Sequence, residues 1–165
     1  MKCRRHFFNH KQYEYAILIL KKFLEEPDGW IENKLNSCLV LSCCYQAMGE
    51  NAAAFDILFY SFTMDVPRAE ICCEIGRLFM EKREYVTAAY WYQQALLAPR
   101  KKKNGGFYIA DSHDFIPAIQ MCVCLDKAGR HREAFEFHKK ARVLKPLHQA
   151  VIGNEKYFRD VWGME

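Results

Sequence analysis

Alanines recur along this chain at a fixed interval, and that interval constrains the fold more than composition does. Ala54 and Ala88 lie 34 residues apart, Ala88 and Ala134 lie 46 apart, and Ala16 and Ala54 lie 38 apart. The spacing is therefore 34, lengthened by 12 in one place and by 4 in another. Around three of these alanines the stretches "YQAMGENAAAFDILFYSF", "FMEKREYVTAAYWYQQAL" and "LDKAGRHREAFEFHKKAR" share one alternation of small and large residues. Thirteen residues before each stand Leu41, Ile75 and Met121, and each is followed at once by a small residue, Ser42, Gly76 or Cys122, that lets two helices approach closely. Nine residues before it come Tyr45, Phe79 and Leu125, one turn further along the same helical face. Gly49 and Gly129 supply the left-handed residue that ends the first helix of a pair, whereas Arg83 departs from glycine in the middle unit and weakens that turn. Ala95 and Ala141 follow their alanines by seven, and Pro99 and Pro146 close their units as helix breakers.

A 34-residue period with this pattern resembles the tetratricopeptide repeat, in which stacked antiparallel helix pairs build an all-α solenoid. The spacing predicts helices over 2–9, 12–25, 31–48, 51–64, 68–82, 85–97, 114–128, 131–144 and 147–161. They form one domain spanning 1–165, with repeats near 1–28, 31–66, 68–99 and 114–146 and an insertion at 100–113. The first unit matches least well, and Trp30 is placed to staple the start of the helix that follows it. A capping helix at 147–161 has Val151, Tyr157, Phe158 and Trp162 on its apolar side.

Composition narrows the function classes. The 24 Lys and Arg against 20 Asp and Glu leave a net charge of only +4, so no polyanion-binding surface is demanded. Tyrosines and tryptophans fit repeat packing better than base stacking, and no nucleic-acid partner is expected. No apolar run reaches the roughly 20 residues that span a bilayer, and "MKCRRHFFNHKQYEY" lacks the apolar centre of a signal peptide. A cytoplasmic protein with no membrane span is expected. The eight cysteines lie mostly within apolar helical stretches, with no Cys-x-x-Cys. Adjacent and i, i+2 pairs on a helix point too far apart to face one zinc ion, so reduced packing residues are the expectation.

No catalytic motif stands in the chain: no phosphate-binding Gly-x-x-x-x-Gly-Lys, no His-Glu-x-x-His, no Gly-x-Ser-x-Gly and no Asp-x-Asp. Asp111, His113 and Asp114 are the one cluster suited to holding a metal or moving a proton. Asp114 has the simpler use of capping the next helix, which places Pro117 at its third position, where a missing N–H costs nothing. No catalytic residue, cofactor or metal is assigned. In a solenoid the first helix of each pair lines a concave groove. Repeat spacing puts Asn36, Cys43 and Gln46 there from one unit, Glu70, Glu74 and Arg77 from the next, and Gln120 and Asp126 from the last. The basic and amide groups with which chaperone-binding repeats clamp a C-terminal carboxylate are absent, since Cys43, Glu70 and Glu74 stand in their places. The basic runs at Arg100 to Lys103 and His138 to Lys145 read as solvated charge, the second complementing a helix C-terminus.

The run from Gly105 to Phe158 adds a narrower likeness. Gly105, Gly106 and Phe107 in a glycine-rich insertion are followed by Phe115 and Pro117, then by Gln120, Cys122, Val123 and Cys124, and at the end by Asn154, Tyr157 and Phe158. This succession resembles the C-terminal repeat region of bacterial family-2 glycosyltransferases. The resemblance implies a parent enzyme whose nucleotide-sugar domain, with its Asp-x-Asp metal site, is absent here, and a module that transfers no sugar by itself. It implies a protein or peptide partner: the missing catalytic domain, an acceptor protein or a second copy. Phe107, Tyr108, Asp111 and His113 of the insertion are its candidate contacts. The alternatives are a stand-alone adaptor unrelated to glycosylation, and a small metal-dependent enzyme built on Asp111, His113 and Asp114.

Overall fold

The computed structural model describes residues 10–100 and 108–164, which are all-helical with no strand among them. The eight α-helices are α1 (His10–Glu25), α2 (Ile31–Ala47), α3 (Asn51–Tyr60), α4 (Ala69–Glu81), α5 (Tyr85–Leu97), α6 (Phe115–Lys127), α7 (His131–Leu144) and α8 (Gln149–Trp162). Every expected helix within the described residues is present, and the one expected over 2–9 lies outside them. The chain forms two compact units, one carrying α1 to α3 and the other α4 to α8. In the first, α2 packs against both α1 and α3; in the second, α4 pairs with α5, α6 with α5 and α7, and α8 with α7.

One turn geometry joins α2 to α3, α4 to α5 and α6 to α7. Gly49, Arg83 and Gly129 have φ of 81°, 60° and 79°. Their N–H groups donate to Gln46, Met80 and Asp126, while the next residues, Glu50, Glu84 and Arg130, donate back to Tyr45, Phe79 and Leu125 at 2.8 to 2.9 Å. This is the paired 5→2 and 6→1 closure that satisfies the last carbonyls of a helix. Arg83, expected to weaken its turn, adopts the left-handed conformation and keeps both bonds, with α4 packed on α5. The carbonyls of Glu50, Glu84 and Arg130 then accept the N–H groups of Ala54, Ala88 and Ala134, each fully enclosed at 0% exposure.

The core follows from this register. Four residues past each alanine stand Leu58, Tyr92 and His138, and seven past it stand Ser61, Ala95 and Ala141, all buried. In the first helices Leu41, Ile75 and Met121 are buried, with Ser42, Gly76 and Cys122 beside them. Gly76 is there for space: a Cβ on it would stand 3.0 Å from the Tyr92 ring. Burying a side chain such as Leu58 contributes about 1.5 to 3 kcal/mol.

α3, α8 and the Trp30 staple depart from expectation. α3 stops at Tyr60 and gives way to a 3-10 turn, Ser61–Thr63, because the Ser61 and Thr63 hydroxyls take the Leu58 and Tyr60 carbonyls at 2.5 and 2.8 Å. α8 begins at Gln149 because His148 is its N-cap, with Nδ1 accepting the Ala150 N–H at 3.2 Å. Trp30 occupies the N-cap position of α2 itself and is half-exposed, so the expected staple is not formed by it.

Candidate functional site

Glu70, Glu74, Arg77 and Glu81 recur at three- and four-residue spacing on α4 and so share a face of that helix. Arg77 forks onto Glu74, with Nε to Oε2 at 2.9 Å and a second bond at 2.5 Å, and reaches Glu81 with its remaining nitrogen. Glu70 turns to the chain segment before α6: its Oε1 accepts the Ile109 N–H at 2.9 Å and lies 3.9 Å from His113 Nε2. The acid and base expected to face a ligand from this helix are therefore engaged within the chain.

The same holds on α6. Both Asp126 oxygens are used, Oδ1 against His131 Nδ1 at 2.8 Å and Oδ2 accepting from the Tyr157 hydroxyl at 3.0 Å. Trp162 Nε1 donates to that hydroxyl at 3.2 Å, and the Trp162 ring stacks on His131 with centroids 3.8 Å apart. Asp126, His131, Tyr157 and Trp162 thus tie α6, α7 and α8 together at one end. Gln120, the remaining α6 candidate, is half-buried. In the first unit Asn36 and Cys43 are half-buried, and Gln46 donates to Ser42 Oγ at 3.1 Å.

Asp111, His113 and Asp114 do not converge. Asp111 pairs with Lys145 of the α7–α8 connection. His113, expected as an exposed loop contact, is only 4% exposed, and burial holds its pKa below the ordinary value although Glu70 pulls the other way. Asp114 caps α6, accepting the Phe115 N–H at 2.6 Å, and meets Arg100 at 3.4 Å; Pro117 is the third residue of that helix and is buried. Among the described residues no group of three His, Cys, Asp or Glu side chains could hold a metal ion. Arg100 donates as well to the His113 carbonyl at 3.3 Å, and Cys73 Sγ approaches the Ser112 carbonyl at 3.5 Å, so the C-terminal end of the insertion is pinned to its surroundings. Of the other insertion candidates, Phe107 lies outside the described residues and Tyr108 is half-buried.

The thiols behave as packing groups. Burial pushes the Cys38 pKa up to about 11 and those of Cys72, Cys122 and Cys124 up to about 12, with Cys73 raised further. Nucleophilic chemistry needs the thiolate, and these sites withhold it. His138 was grouped with exposed basic residues, but it is fully enclosed, its ring stacked on Phe135 and tilted against Phe158. The repeat register was the signal that locates it, since it stands where Leu58 and Tyr92 stand. No described helix is long and apolar enough to cross a membrane. Compared with known proteins, the chain matches no family model and no curated protein.

Proposed function

We propose that this chain is a non-catalytic repeat module of the tetratricopeptide type that binds protein or peptide. We place it as the C-terminal part of a glycosyltransferase-like protein in a reducing, cytoplasmic setting, where it serves docking, acceptor presentation or dimerisation. The observation that supports the module most is the turn repeated at Gly49, Arg83 and Gly129, with the same two backbone bonds and the same enclosed alanine after it. The commitment of Glu70, Glu74, Arg77, Asp111, Asp114 and Asp126 to bonds within the chain supports a scaffold over a reaction centre.

A second reading, an adaptor unrelated to glycosylation, draws on one observation. Phe115, Pro117, Cys122, Cys124 and Phe158 of the glycosyltransferase-like succession are buried, and Asn154 bonds Cys122 at 3.4 Å, so packing alone accounts for them. Two experiments separate the possibilities. Incubating the purified chain with UDP-glucose, UDP-N-acetylglucosamine or GDP-mannose and following the anomeric proton by NMR should give no turnover; hydrolysis or transfer above buffer overturns the non-catalytic assignment. Reading the coding frame upstream of Met1 should find a nucleotide-sugar domain with an Asp-x-Asp site, and a frame without one assigns the module to the adaptor.

A further inference from the structure

Three histidines hold α8, one near each end and one in its middle. At the N-terminal end His148 caps the helix and its ring meets Phe115 edge-on, with centroids 4.7 Å apart. Lys145, over the same Phe115 ring at 4.9 Å, is paired to Asp111. In the middle, His138 of α7 is enclosed, and neither of its ring nitrogens has a hydrogen-bond partner. From α8, Glu155 Oε2 stands 3.5 Å from Nε2, while Glu155 Oε1 takes Arg142 of α7 at 2.6 Å. α6 contributes Cys122, a neutral thiol bonded to Asn154 of α8. At the C-terminal end His131 lies between Asp126 and Trp162. Packing does not require an imidazole at position 138, because Leu58 and Tyr92 fill the equivalent places.

We propose that α8 is a pH-responsive cap: mild acid loosens its hold on α7 at His138 and uncovers the apolar edge that Val151 and Phe158 cover. Protonated His138 must hold a charge in an enclosed aromatic site; Glu155 favours the proton and Arg142 opposes it, and burial outweighs Glu155, holding the pKa below 6.5. A group whose folded pKa is lowered takes up its proton more readily in the released state. The docking equilibrium for α8 then falls as pH drops below 6.5, by at most about tenfold per pH unit.

Amide hydrogen exchange read by mass spectrometry between pH 7.5 and 5, corrected for the intrinsic pH dependence of exchange, tests this on the full chain. Protection of peptides covering 149–158 should fall toward pH 5, while those from α2 and α3, which contain no histidine, hold theirs. His138→Leu should remove most of the dependence. NMR titration of the wild-type rings gives an answer that no variant's folding can obscure: His138 should titrate below 6.5. Flat protection of α8, an unchanged dependence in His138→Leu, or a His138 ring titrating at or above 6.5 overturns the proposal.

Discussion

At Gly76 one missing methyl group decides how closely α4 and α5 approach. The Tyr92 ring would lie 3.0 Å from an added Cβ, and Tyr92 is 1% exposed, with its hydroxyl against Met80 Sδ at 3.5 Å, so it has nowhere to withdraw. Replacing a helical glycine by alanine gains about 0.5 to 1 kcal/mol in backbone terms, and overpacking costs about 1 to 3. Overpacking wins. Gly76→Ala should lower stability by about 1 kcal/mol in urea unfolding, and Gly76→Ala combined with Tyr92→Leu should recover part of the loss, because Leu58 fills the same place beside Ser42. A Gly76→Ala protein as stable as wild type would show that the ring is free to move. The small-residue positions were readable in the sequence as Ser42, Gly76 and Cys122. Ser61 was missed as the partner of Ala95 and Ala141 because a hydroxyl does not announce that it will be enclosed; its bond to the Leu58 carbonyl makes that possible.

Helix boundaries were legible wherever a residue has a backbone reason to be there. Asp114 before Phe115, Gly129 after Ala128 and Pro117 at the third helical position all stand as expected. Asp114→Ala should cost about 1 kcal/mol through the lost cap and raise exchange of the first α6 amides. Asp114→Asn, which can still accept the Phe115 N–H but carries no charge for Arg100, should cost much less. Equal losses would assign the effect to the Arg100 pair. The side-chain alliances were not legible. That Asp126 is consumed by His131 and Tyr157, or that Glu70 turns to Ile109, depends on how α6, α7, α8 and the end of the insertion meet, and no single-helix periodicity encodes it. Repeat spacing assigns such residues to a helix face but is silent about which neighbour already occupies it.

At the scale of the molecule, one hairpin turn used three times accounts for the spacing of 34 between Ala54 and Ala88 and for the enclosed alanines. α8 then covers the side of the last pair through Val151 and Phe158. A protein assembled this way concentrates its polar chemistry in holding helices together, which is why the histidines and carboxylates that first suggested reactivity serve as caps, clasps and a core side chain. The assumption beneath both the fold and the function is that all three turns are the same device, and Arg83 tests it because it is the non-glycine among them. A side chain in the left-handed region costs about 1 to 2 kcal/mol, while the added freedom of an unfolded glycine returns about 0.4 to 1. Equilibrium urea unfolding of Arg83→Gly should therefore give a midpoint higher by about 1 kcal/mol of stability, with an unchanged slope. A midpoint lower than wild type would mean that Arg83 does not occupy the glycine position of the turn, and the repeat register with it would be wrong.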